Sequence, residues 1–100
     1  MTNARELREI RDSDGRVTAQ AEYLDGKLDG QSKVWSKDGT LILEDHYRNG
    51  ERHGIYQSWW DNGAVKEQGR YVAGTRIGIY RWFQQDGQLL QEHDYGSPTS

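Results

Sequence analysis

Catalysis or metal binding in this chain would have to come from its three histidines, its sixteen carboxylates or its serines. His46 follows Glu44 and Asp45, His53 stands alone, and His93 lies between Glu92 and Asp94. A metal site needs three or four converging ligands, and no HxH or HExxH spacing occurs. Glu92 and Asp94 share one face of an extended strand by alternation. Paired carboxylates acting as acid and base must instead flank a cleft. Ser32, Ser36 and Ser58 have no neighbouring base and no GxSxG elbow. The glycines form no phosphate loop, because no Lys-Ser or Lys-Thr pair opens a helix after them. No catalytic residue, metal ligand or cofactor site is therefore expected.

The elements that would position such side chains are better defined. One hundred residues make one small domain, and the hydrophobic share is only 33%. Mean hydropathy is −1.07, a value compatible with disorder, but four Trp and six Tyr argue for a folded chain built in thin layers. The 13 basic and 16 acidic residues are interspersed and sum to −3, which disfavours a nucleic-acid partner. No Cys is present, so disulfide and thiolate chemistry are excluded. No signal-like or membrane-spanning apolar run occurs, and the expected location is cytoplasmic.

The chain repeats with a period of 24 residues. Gly15, Gly39, Gly63 and Gly87 keep this spacing, as do Gly26, Gly50 and Gly74, and again Gly30, Gly54 and Gly78. Tyr23, Tyr47, Tyr71 and Tyr95 form one aromatic column and Trp35, Trp59 and Phe83 another. Val17, Leu41, Val65 and Leu89 form an apolar column. Asp-Gly and Asn-Gly pairs are strong hairpin signals, because both central positions of a type I′ turn need positive φ. Ala73-Gly74 is the weakest of these pairs, and a different turn is expected there. Turns every dozen residues predict an all-β, elongated, twisted single-sheet meander of tandem β-hairpins with about eight antiparallel strands. Residues 1–13 read as an N-terminal half repeat, 14–96 as the repeats, and 97–100 as a disordered tail. A helix over Asn3 to Arg11 competes with a strand, and the repeat register favours the strand.

A two-residue loop at Asn62-Gly63 would pair Trp60 with Val65 and Ser58 with Glu67. One face would then carry Tyr56, Trp60, Val65, Gly69, Tyr71 and Tyr80, and the other Ile55, Trp59, Ile79 and Phe83. Apolar residues on both faces of one sheet imply that the sheet coils or that a partner covers it. Gly30, Gly54 and Gly78 fall where strands begin, which suggests bulges or bends. The other columns fix the scaffold: Gly39, Gly50, Gly63, Gly74 and Gly87 at turns, and Tyr23, Tyr47 and Tyr71 within strands. Trp60 is different, since its column reads Asp12, Ser36, Trp60, Gln84 and needs no Trp in other units. Trp82 shares its column with Ile10, Val34 and Ser58. Trp is a frequent interface anchor, so Tyr56, Trp59, Trp60, Tyr80 and Trp82 are the candidate partner-binding residues.

The spacings Tyr23-Gly26-Gly30, Tyr47-Gly50-Gly54 and Tyr71-Gly74-Gly78 carry a resemblance, together with Trp35 to Gly39, Trp59 to Gly63 and Phe83 to Gly87. The chain resembles the bacterial variant of MORN repeats over residues 14 to 96. It departs from the eukaryotic repeats in its 24-residue unit and in the additional Trp60 and Trp82. The final unit also lacks the Gly pair after Tyr95. The resemblance implies successive hairpins in one curved sheet. It also implies a non-catalytic binding module, of a kind labelled in bacteria as antitoxin or immunity-like. The expected function is thus binding of another protein, with a protein toxin as the most concrete partner. The alternatives are a self-associating structural repeat and a lipid-associated module, and the negative charge disfavours the membrane.

Overall fold

The computed structural model of the protein describes residues 4–97, so all but Ser97 of the expected tail lies outside the described residues. Nine strands run in order: β1 (Arg5–Arg11), β2 (Val17–Leu24), β3 (Lys27–Trp35), β4 (Leu41–Arg48), β5 (Glu51–Arg52), β6 (Gly54–Trp59), β7 (Val65–Val72), β8 (Thr75–Phe83) and β9 (Leu89–Asp94). All pairings are antiparallel, in the order β1-β2-β3-β4-β6-β7-β8-β9, with the short β5 also on β4. The region 5–11 is a strand, as the repeat register requires. The Cα extents of 45 × 44 × 12 Å describe a slab one layer thick.

Two turn geometries alternate along the meander. Asp25-Gly26, Asn49-Gly50 and Ala73-Gly74 have positive φ at both positions, as a type I′ turn demands. Ala73, at φ 48°, therefore adopts the same turn as its counterparts, contrary to expectation. A Cβ disfavours that conformation by about 1 kcal/mol. The Gly74 amide binds Arg52 O at 2.8 Å and the Ala73 amide binds His53 Nδ1 at 3.3 Å, which helps to hold it.

At the opposite end of the strands the loops are longer. The Gly63 amide donates to Trp60 O at 2.9 Å and the Trp60 amide to Ala64 O at 2.8 Å, while only Gly63 has positive φ. This is a three-residue loop, a type I turn closed by a glycine bulge. The expected pairing of Trp60 with Val65 is therefore corrected. Trp59 pairs with Val65, and the register shift beside it leaves Ser58 opposite Glu67, as anticipated. Equivalent shifts follow Ile10, Val34 and Trp82, so the bulge belongs to the repeat. Gly30, Gly54 and Gly78 take φ of 114°, 112° and 65°, in keeping with the bends inferred there.

Cross-strand pairing fixes the faces over the middle of the sheet. Tyr56 opposes Gly69, Ser58 opposes Glu67, and Glu67 opposes Trp82 on one face. Gln57 opposes Gln68, and Gln68 opposes Arg81, on the other. Core burial is confined to that first face, where Tyr71 is 7% and Tyr80 1% exposed. Among the described residues no second layer covers either face, so the side chains of one face must shield each other.

Candidate functional site

Shielding on this face is done by tyrosines. The Tyr56, Tyr71 and Tyr80 rings lie 5.8 to 6.2 Å apart, Trp82 is 4.7 Å from Tyr80, and Tyr95 is 6.3 Å from it. Such pairs contribute about 0.5–1.5 kcal/mol beyond area burial. Gly69 makes the cluster possible. A Cβ there would fall onto Cδ2 and Cε2 of Tyr80, so only glycine lets that ring lie flat on the sheet.

Arginines are threaded between the rings. The guanidinium of Arg52 lies 5.2 to 6.0 Å from the Tyr47, Tyr56 and Tyr71 centroids, and its Nε donates to Asp45 Oδ2 at 3.0 Å. That of Arg76 is 4.5 Å over Tyr80 and 5.7 Å from both Trp82 and Tyr95. Its Nε and Nη1 donate to the Tyr71 and Tyr95 hydroxyls, each at 3.1 Å. In the first unit Arg8 stacks 4.0 Å over Tyr23. Sequence reading missed this ladder. Its signal is the column Leu28, Arg52, Arg76, which the leucine interrupts.

The structure brings three of the five candidate contact residues together and leaves two apart. Tyr56, Tyr80 and Trp82 form one run, in which Tyr80 is the buried floor and Tyr56 and Trp82 are half-buried. Trp82 Nε1 donates to Glu67 at 3.0 Å. Trp59 and Trp60 stand at the long-loop end, half-buried, with no ring partner among the described residues. Trp60 Nε1 donates to Phe83 O at 3.2 Å and Lys66 Nζ sits 4.7 Å from its ring, so Trp60 ties one loop to the neighbouring hairpin. Asp12 and Ser36, in the same column, instead cap their own turns.

The other face is polar, with Ile55 and Ile79 exposed between Gln, Arg and Asp side chains. A shallow depression of about 580 Å³ there is lined by Ile55, Arg70, Ile77, Ile79 and Asp94. Among the described residues no group of three His, Cys, Asp or Glu side chains is placed to hold a metal ion. No helix of the structure is long and apolar enough to cross a membrane.

Packing raises the pKa of three tyrosines. Burial, and then the negative charge of Glu67, pushes the Tyr56 phenol up to about 12. Burial raises Tyr80 as well, followed by its hydrogen bond with Tyr71, and Tyr47 is raised by burial and by Asp45. A folded-state pKa above the unfolded value means that the folded state holds its protons longer. For Tyr56 the stabilisation is complete below the ordinary phenol pKa of 10.0 and is lost as pH rises through about 12. Denaturant midpoints measured across this window should fall steadily. A flat profile above pH 10.0 would show that the phenols ionise freely in the folded sheet.

One family model, described as MORN repeat variant, matches residues 28–49, 52–73 and 76–95. No curated protein and no solved structure matches the chain. The three matched segments each start beside a type I′ turn and hold both caged arginines with Tyr47, Tyr56, Tyr71, Tyr80 and Tyr95, while Tyr23 lies before them.

Proposed function

The chain belongs to the MORN repeat variant family, and from that premise we propose that it is a non-enzymatic module binding another protein through its tyrosine face. The observation that carries this reading is a single-layer sheet with Tyr, Trp and Arg concentrated on an uncovered face. These three residue types dominate the energetic centres of protein interfaces. Tyr56 and Trp82 supply the contact surface over the Tyr80 floor, with Trp60 extending it at the loop end, while Trp59, adjacent to Ser58, falls on the opposite face by strand alternation. The more specific form of the proposal is a bacterial, cytoplasmic antitoxin or immunity protein. It would act by covering a protein toxin, with no chemistry of its own.

The repeat supplies its own control substitutions. Trp60→Ser and Trp82→Val copy residues found in those columns at Ser36 and Val34, so the double variant should keep the sheet. Affinity capture from lysate of the source organism should recover a stoichiometric partner, and the variant should bind it at least about tenfold more weakly with an unchanged circular dichroism spectrum. Equal binding by the variant would move the interface off this face.

Self-association is the second reading. Every residue of β1 and β9 is exposed, and Leu7, Ile10, Leu89 and Leu90 are 49 to 66% exposed on these end strands. Open strand edges with apolar side chains invite pairing with another copy. Capture that recovers only this chain, with a solution mass that grows with concentration, would replace the first reading by this one. A monomer at all concentrations removes it.

A further inference from the structure

Arg52 and Arg76 occupy one repeat column and similar tyrosine cages, but their charges are treated differently. Asp45, 1% exposed, neutralises Arg52. The next residue in the Asp45 column is Gly69, whose space the Tyr80 ring takes. Arg76 consequently has only the neutral hydroxyls of Tyr71 and Tyr95, and among the described residues no carboxylate lies within the ion-pair distance of 4.0 Å. The carboxylates on the adjoining strands are otherwise engaged. Glu67 accepts from the Trp82 indole, Glu92 pairs with Arg81, and Asp94 accepts from the Gly96 amide.

We propose that the Arg76 cage, walled by Tyr71, Tyr80, Trp82 and Tyr95, receives an aspartate or glutamate side chain of the partner protein. The inference rests on the protein-binding reading above and names the chemistry that the partner must present. A guanidinium carries five N–H donors in a planar fork suited to a carboxylate, and among the described residues Nη2 makes no hydrogen bond. Arg76 is half-buried and covers the Tyr80 ring, so aromatic walls surround the charge and a pair formed there is screened less than one in open water. One guanidinium on a chain of net charge −3 suits a single carboxylate and disfavours a polyanion such as nucleic acid. The Asp45–Arg52 pair, one unit earlier, shows a carboxylate bound to the arginine of a similar tyrosine cage.

The test uses the full chain, ¹⁵N-labelled, and follows the Arg76 Nε–H and Trp82 indole resonances. Tetraglutamate peptide is the probe, with tetraglutamine and inorganic phosphate as controls. Tetraglutamate should give saturable shifts at both resonances, and Arg76→Gln should weaken binding about tenfold. Arg8→Gln should leave binding unchanged. Circular dichroism checks that Arg76→Gln folds. Should that variant lose its fold, Arg76→Lys takes its place, keeping the charge without the fork and binding more weakly. The proposal is overturned if Arg8 shifts as much as Arg76, if tetraglutamine matches tetraglutamate, or if phosphate binds Arg76 more tightly. A captured partner held equally well by Arg76→Gln sinks this inference and leaves the protein-binding reading intact. Absence of any captured partner sinks the reading, whatever the peptide does.

Discussion

Gly69→Ala is expected to destabilise the sheet by about 3 kcal/mol, lowering the melting temperature by roughly 15 °C. The backbone at Gly69 does not have positive φ, so an alanine is not excluded by conformation. The obstacle is the Tyr80 ring, which a new methyl would have to displace. Displacing it exposes the largest fully buried side chain among the described residues and uncouples Tyr56, Tyr71 and Trp82 from each other. The first unit supplies the rescue, because there Ala21 pairs with Ser32 at the same columns. Gly69→Ala with Tyr80→Ser recreates that combination. It should be less destabilised than the sum of the single changes by about 1–3 kcal/mol. Thermal unfolding of the four proteins measures the coupling, and strict additivity would show that the ring is not what excludes the methyl.

Arg52→Leu should cost about 3 kcal/mol at neutral pH, more than the loss of a surface ion pair. The reason is asymmetry within the pair. The Arg52 side chain is 41% exposed, whereas that of Asp45 is 1% exposed and its Oδ1 has no hydrogen-bond partner among the described residues. Removing the arginine strands a buried carboxylate without its cation. Adding Asp45→Ala restores the Leu28 and Ala21 pattern of the first unit and should recover most of the loss. Denaturant melts of the single and double variants at neutral pH decide the matter. A double variant weaker than Arg52→Leu alone would mean that Asp45 matters for packing and not for charge.

Much of this fold could be read before any coordinates, because glycines and aromatics recur in strict columns. What escaped the sequence depended on relations across strands. Asp25-Gly26 and Asn62-Gly63 look alike as dipeptides, yet one closes a two-residue loop and the other a three-residue loop with a bulge. That difference moved the Val65 partner from Trp60 to Trp59. Asp45 and Gly69 share a column and do opposite things, one neutralising an arginine and the other making room for a ring. Tyr80 was placed on the correct face, but its burial depends on Gly69 across the hairpin and on Arg76 above it. A column comparison assumes that equal positions have equal roles. The interactions on this face arise where they do not.

The principal contacts of each strand are with its immediate sheet neighbours alone. Length is therefore a free variable of this architecture. Removing or duplicating one 24-residue unit would leave the remaining hairpins with the neighbours they already recognise. Such changes would alter the area of the tyrosine face in whole steps, and they would alter the pattern of caged arginines with it. Exchanging Asp45 for the Gly of the next unit would take the carboxylate away from Arg52, as Gly69 leaves Arg76 without one.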